Sequence, residues 1–186
     1  MYKLTGMVTA LLLMAACASQ YPAYRRDIRE GLGYLRHEEY VQAKASFLKA
    51  IEIEKNAQAL ALAATADYRM NNLAEAEKYI SEADKLEHKD FSFLRITGFK
   101  ALIFLKQGKK PEGMAALKEY IDEYGHQYPL QSIEQVKRMW ESDQIDMPKL
   151  EYLINIQVST YEADIEEYRR EGTGWYARDI GRSSAK

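Results

Sequence analysis

The most reactive side chain in this 186-residue sequence is a thiol, and Cys17 is the one cysteine that carries it. An apolar stretch, Leu4 to Ala16, leads directly to Cys17, and its last two residues, Ala15 and Ala16, are small. A short apolar segment that ends in small residues is typical of a cleavable leader. With no second cysteine, no disulfide can form within the chain, so its stability depends on packing.

The run Leu11-Leu12-Leu13-Met14-Ala15-Ala16-Cys17 resembles a bacterial lipoprotein signal, except that leucine is usual at Met14. The resemblance implies that a peptidase removes residues 1–16 and that the sulfur of Cys17 carries lipid. It also implies a place in the bacterial cell envelope, where Ala18 favours the outer membrane, facing the periplasm. The leader is shorter than the roughly 20 apolar residues of a spanning helix. The alternatives are a leader with an incidental cysteine and a cytoplasmic protein whose leader is a packed helix.

Other residue types give little support for catalysis or metal binding. His37, His88 and His126 are the three histidines, and none has a second histidine or a cysteine three or four residues away, as a helical metal site requires. No Gly-x-Ser-x-Gly motif marks a nucleophile, and the adjacent acids Glu166 and Glu167 are typical of a solvated helix face. We therefore predict no enzyme activity, no catalytic residues, no metal and no cofactor.

The charge balance limits the classes of partner. The sequence has 26 lysines and arginines against 28 aspartates and glutamates, a net charge of −2. A nearly balanced charge gives no electrostatic attraction for nucleic acid. We therefore expect no nucleic-acid partner, and contact with a membrane through the lipid anchor.

The elements that would position these side chains are helical repeats. Gly31, Tyr34, Tyr40, Ala43 and Phe47 follow one another in a segment that resembles a tetratricopeptide repeat (TPR). Similar copies follow about 33 residues later and about 37 residues after that. The resemblance implies that small residues at three positions of each copy let two antiparallel helices approach closely. These nine positions hold Gly31, Ala43, Ala50, Ala64, Ala76, Ala83, Ala101, Gly113 and Tyr120.

We predict an all-α fold, a helical-hairpin solenoid of about three TPR repeats capped by C-terminal helices. The repeats would cover residues 24–128, after a lipidated tether over 17–23. Apolar residues three and four apart predict further helices within 129–170, of which the last begins near Pro148 and is long enough to cap the open end of the solenoid. Residues 171–186 would form a loose tail.

In this family the outer positions of the first helix of each repeat line a concave groove that binds partners. In this groove Arg36, Arg69 and Lys106 would form a basic ladder, one residue for each repeat. The ladder suits an acidic and apolar peptide or helix, held by charge-assisted hydrogen bonds; alternatively, its members are solvated or interact with helix C-termini. The predicted groove residues are Arg25, Ile28, Leu32, Leu35, Arg36, Thr65, Tyr68, Arg69, Arg95, Leu102, Leu105 and Lys106.

These features predict an outer-membrane-anchored TPR lipoprotein that acts as a protein-protein interaction scaffold for assembly or localisation of an envelope complex. The sequence Gly31-Leu32-x-Tyr34-Leu35 followed by Tyr40-x-x-Ala43 also resembles the TPR lipoproteins of type IV pilus biogenesis, which assist assembly of the secretin pore. A candidate from another class is a periplasmic enzyme or small-ligand binder with a pocket near Trp140, Tyr152 and Trp175. Aromatic residues motivate that candidate, although aromatic residues at helical spacing are more often part of a core.

Overall fold

The computed structural model describes residues 20–86, 92–125 and 132–173, and within these ranges the chain is all-α, with no strand. This confirms the predicted class of the fold. The helices are α1 (20–36), α2 (Tyr40–Ile53), α3 (Ala57–Arg69), α4 (Leu73–Lys85), α5 (Phe93–Lys106), α6 (Lys110–Gly125), α7 (Ile133–Ser142) and α8 (Met147–Glu171).

Each helix from α2 onward packs against the next one along the chain, and α5 also contacts α3 and α8. Phe47 of α2 and Ile28 of α1 belong to one buried apolar cluster, whereas Phe99 of α5 belongs to a second. The alanine-rich helix α3 contributes to both clusters, with Leu62 in the first and Leu60 in the second. Helix α3 therefore joins α1 and α2 to the rest of the molecule.

The turns after α1, α3 and α5 share one backbone geometry. Each contains a residue with a positive φ angle, 61° at Glu38, 62° at Asn71 and 77° at Gly108. In each turn an N–H also donates to a carbonyl five residues earlier, which satisfies the helix C-terminus as in a Schellman motif. These bonds run from Glu39 to Tyr34, from Asn72 to Asp67 and from Lys109 to Phe104, at 2.9, 2.8 and 2.9 Å. The pairs α1–α2, α3–α4 and α5–α6 are therefore connected in the same way.

All nine predicted small positions are buried. A Cβ atom on Gly113 of α6 would lie 2.6 Å from Cγ of Leu105 on α5, and one on Gly31 would overlap the ring of Phe47. The two helices of these pairs therefore approach each other closely, as the sequence predicts. Tyr120, the largest residue at such a position, is fully buried in the main core cluster.

The sequence predicts that α8 caps the end of the helix array. The helix instead packs along α5 and bonds to side chains of α1 and α3. It begins near the predicted place, where Asp146 accepts a hydrogen bond from the N–H of Lys149 at 3.1 Å, and it ends at Gly172, which has a φ angle of 69°. Its inner stripe is apolar, and this stripe explains why it covers a face of the array. The buried apolar residues of α8 are Leu150, Leu153, Ile154, Val158, Tyr161 and Ile165.

The predicted tether and tail, at the two ends of the chain, fall only partly within the described residues. The described part of α1 starts at residue 20, so residues 20–23 of the predicted tether are helical. Cys17 with the leader, and residues 174–186 of the predicted tail, lie outside the described residues.

Candidate functional site

Helix α8 occupies much of the groove that the sequence predicts for a partner. Arg25 of α1 makes a two-point contact with Glu166 of α8, with nitrogen–oxygen distances of 3.1 and 2.9 Å. Arg95 of α5 makes the same kind of contact with Glu162, at 2.7 Å for both pairs of atoms. Because each guanidinium already faces a carboxylate of its own chain, neither is free to bind a separate partner.

Tyr68 and Arg69 of α3 share a third carboxylate of α8, that of Glu151. The hydroxyl of Tyr68 donates to Oε2 of Glu151 at 2.9 Å, and Nη1 of Arg69 donates to Oε1. Burial, together with the hydrogen bond to Glu151, raises the pKa of Tyr68 well above its ordinary value. The phenol therefore stays protonated and keeps its role as donor within the chain.

Several predicted groove residues lie in the core. Leu102 is fully buried, and Ile28 and Arg95 are nearly so. The hydroxyl of Thr65 accepts from Nη1 of Arg95 at 3.0 Å and donates to the carbonyl of Ala61 at 2.9 Å, out of contact with solvent. The prediction that Leu102 lines an open surface is wrong, because neighbouring helices cover it, whereas Ile28, Thr65 and Arg95 are nearly buried but still border a cleft.

The predicted ladder is not a row of free cations. Arg69 pairs with Glu151, and the ammonium of Lys106 lies 4.5 Å from the centre of the Tyr68 ring, where cation–π attraction holds it. The side chain of Arg36 has no hydrogen bond or ion pair with any residue that the structure describes. Within the described ranges, the ladder therefore contributes one unpaired guanidinium to the predicted groove.

An open cleft remains between α1 and α8. Its main part has a volume of about 460 Å³, with Thr65 and Arg69 of α3 and Arg95 of α5 among the residues that line it. A smaller part of about 160 Å³ continues along α1 and shares Leu32 with the main part. The α1 side of the whole cleft carries Arg25, Ile28, Arg29, Leu32, Leu35 and Arg36. The groove residues predicted on α1 therefore border the space that stays open.

The α8 side of the cleft includes small neutral residues that the sequence analysis missed. Asn155, Ser159 and Ala163 all line the cleft, and their spacing of four residues places them on one face of the helix. Nδ2 of Asn155 donates to the carbonyl of Glu151 at 2.6 Å, and Oγ of Ser159 donates to the carbonyl of Asn155 at 2.7 Å. Small side chains that bond to their own helix leave the cleft open. Their regular spacing is the sequence signal that could have identified this face.

The charges around the cleft fall into paired and unpaired groups. The hydrogen bond from Arg25 holds the pKa of Glu166 below its ordinary value, and the same contact raises the pKa of Arg25. Both groups are therefore ionised at neutral pH and neutralise each other. The side chains of Arg29, Arg36 and Glu38 line the cleft without a hydrogen bond or ion pair to any described residue. The cleft can therefore offer two guanidinium groups to an anionic partner.

The alternative aromatic site is not assembled in the described part of the chain. Nε1 of Trp140 donates to the carbonyl of Met114 at 3.1 Å, whereas Tyr152 is 64% exposed, and neither lines the cleft. Trp175 lies outside the described residues. Within the ranges that the structure covers, no group of three His, Cys, Asp or Glu side chains is placed to hold a metal ion.

Comparisons with protein-family models, with curated protein sequences and with solved structures gave no match to this chain. None of the helices in the described ranges is both long enough and apolar enough to span a membrane. Because Cys17 lies outside these ranges, its lipid attachment stays a prediction.

Proposed function

We propose that this chain is a lipid-anchored, TPR-like scaffold of the bacterial cell envelope, which binds a segment of an envelope protein in the cleft between α1 and α8. One observation carries the proposal: the face of α1, α3 and α5 already holds a polypeptide segment, α8, through three arginine–glutamate pairs. A surface that binds one acidic segment in this way has the chemistry to bind another where it stays open.

The helix pairs support the TPR-like part of the proposal. Three pairs share one turn geometry, and every predicted small position is buried. In a TPR solenoid the first helix of each repeat lines the concave side, and the corresponding helices here are α1, α3 and α5. Helix α8 would then be a built-in part of the concave surface that leaves the α1 side open to a partner.

The proposed anchor would hold the cleft near a membrane. The described part of α1 starts three residues after Cys17, and three residues span at most about 10 Å. Arg36, at the far end of the cleft, lies about 24 Å along the helix from that point. A partner in the cleft would therefore stay within a few tens of ångströms of the bilayer that holds the lipid.

Metabolic labelling with a palmitate analogue tests the anchor. We expect label on the wild-type chain in the membrane fraction, and no label on Cys17→Ser. A wild-type chain without label would refute lipid anchoring and favour the alternatives of an incidental cysteine or a cytoplasmic protein.

A photo-crosslinking amino acid placed in the cleft tests the binding site in intact cells. Leu35 lines the cleft, and Glu134, exposed on α7, is a control position away from it. We expect a defined envelope protein to crosslink from position 35 and not from position 134. The same products from both positions, or no product from position 35, would contradict the proposed site.

A second candidate function, binding of a small ligand, is supported by the size of the cleft. Its volume of about 460 Å³ falls in the range of roughly 300–1,000 Å³ that is usual for small-molecule sites. This candidate uses the cleft and not the aromatic region around Trp140. A thermal-shift screen with soluble cell-wall fragments tests it, and the absence of any stabilising fragment would count against it.

A further inference from the structure

Two arginines of α1 whose side chains have no partner among the described residues lie at different points along the cleft. Arg36 lines the main part and Arg29 the smaller part, and both side chains are exposed. Because they are seven residues apart, they lie on one side of the helix, about 10 Å apart along its axis. The cleft thus presents two guanidinium groups without a partner among the described residues, on side chains that leave the helix about 10 Å apart.

The other charges of the cleft largely cancel. Three arginines that line it, Arg25, Arg69 and Arg95, are paired with glutamates of α8. Of the acids that line it, Glu38 in the turn after α1 is unpaired among the described residues. Two free arginines against one free glutamate leave an excess of positive charge, so the cleft is complementary to an anionic segment.

Apolar side chains lie between the two free arginines. Leu32 and Leu35 are half-buried on the same side of α1, and Ala163 lines the cleft from α8. A ligand that reaches both Arg29 and Arg36 must cross this apolar strip. The carboxylates of Glu162 and Glu166 also line both parts, but they are already bonded to Arg95 and Arg25, so the middle of the ligand should be apolar.

We propose that the cleft binds a segment of the partner protein in the extended polyproline II conformation, in which two acidic side chains lie three residues apart, with apolar residues between them. A polyproline II chain has three residues per turn and advances about 3.1 Å per residue, so residues three apart lie on the same side and about 9 Å apart, close to the separation of the two arginines. This inference rests on the proposed scaffold function and names the chemical class of its partner.

The size of the cleft favours an extended segment over a helix. From Arg25 to Arg36 the cleft follows α1 for about 16 Å, and a helix of that length would fill on the order of 1,200 Å³. The two parts of the cleft along this length offer about 460 and 160 Å³. Of the peptide and the helix that the sequence leaves open as partners, the extended peptide is therefore the better fit.

The test is a fluorescence anisotropy titration of the full chain, purified from whichever cell fraction contains it, against three labelled probes. The matched probe is the peptide Gly-Glu-Leu-Leu-Glu-Gly. One control, Gly-Lys-Leu-Leu-Lys-Gly, reverses the charges, and a second, Gly-Leu-Glu-Glu-Leu-Gly, keeps the composition but places the acids side by side. We expect the matched probe to bind at least about tenfold more tightly than the lysine probe and several-fold more tightly than the second control.

Variants of the chain locate the site. Arg29→Gln and Arg36→Gln should each weaken binding of the matched probe about tenfold, because each removes a charge-assisted hydrogen bond to one carboxylate. Arg138→Gln, at an exposed arginine of α7 outside the cleft, is the matched control and should leave affinity unchanged. Thermal unfolding of each variant verifies that it is folded.

The outcomes separate this inference from the scaffold function on which it rests. Equal binding of the three probes, or unchanged affinity in both cleft variants, would overturn the inferred partner chemistry. If a crosslink from position 35 still forms in cells in that case, the scaffold function stands and its partner has a different chemistry. Selective binding of the matched probe that is lost in both variants would support the inference, even where the anchor at Cys17 failed its own test.

Discussion

At the scale of single residues, Arg95 shows how a charge predicted for a partner became part of the core. It is 6% exposed, with two bonds to Glu162 and one to Thr65. Its guanidinium also lies 5.5 Å from the centre of the Phe99 ring. A buried charge loses the stabilisation that water gives it, and the protein interior restores little of it. The stability of such a group therefore depends on its paired counter-charge.

Loss of the Glu162 carboxylate should therefore be costly. We expect Glu162→Gln to lower the free energy of unfolding by about 3 kcal/mol, since it leaves Arg95 buried without a counter-charge. Asp122→Asn is the control, because Asp122 pairs with Lys118 on the exposed side of α6 and such pairs contribute about 0.5 kcal/mol or less. Urea unfolding measures both variants, and similar losses in the two would contradict the buried role of Arg95.

The pair between Arg25 and Glu166 predicts a dependence of stability on pH. Arg25 holds the pKa of Glu166 below its ordinary value in the folded chain. Such a carboxylate stabilises the fold above its unfolded pKa of about 4.3, and this stabilisation is lost as the pH falls through the lower folded pKa. We expect the free energy of unfolding of Glu166→Gln to fall less steeply than that of the wild type below about pH 5. Parallel curves would show that the pair contributes nothing to folding.

At the scale of helices, contact between α5 and α8 depends on the absence of a side chain at Gly98. A Cβ atom there would lie 2.8 Å from Cγ2 of Ile154 on α8 and 3.0 Å from Cε2 of Tyr120 on α6. We expect Gly98→Ala to lower the free energy of unfolding by about 1–3 kcal/mol, because it overpacks this contact. Gly33→Ala, within α1 and with no atom near the new Cβ, should instead raise it by about 0.5–1 kcal/mol. Thermal or urea unfolding compares the two, and the same sign of change in both would contradict this packing.

Whether a helix contact can be predicted depends on how far apart the contacting residues lie in the sequence. Positions such as Gly31 and Gly113 could be predicted, because close approach of neighbouring helices imposes a small residue that recurs with the repeat. The packing of α8 could not be predicted in this way, because Glu166 pairs with an arginine 141 residues away. The residue spacing within either helix does not indicate that contact. Glu166 was predicted on a solvated face, and its pairing with Arg25 shows that an acidic stripe can belong to an internal contact.

At the scale of the whole molecule, α8 divides the predicted groove into a filled part and an open part. The filled part, along α3 and α5, contains core side chains and paired charges that stabilise the fold. The open part, along α1, has half-buried leucines, a wall of small residues and two arginines that no side chain in the described ranges pairs. The predicted anchor, Cys17, lies three residues before the described part of α1, so the proposed lipid would be close in the chain to the open part of the groove.

The most direct measurement for the proposed binding cleft is crosslinking from position 35 in cells after the cleft has been filled. Ser159→Trp places a large side chain in the cleft, whereas Thr160→Trp adds the same side chain at a neighbouring exposed position that does not line it. If a partner binds between α1 and α8, Ser159→Trp should abolish the crosslinked envelope protein while Thr160→Trp retains it, with both variants folded and present at wild-type levels. An undiminished crosslink in Ser159→Trp would contradict the account.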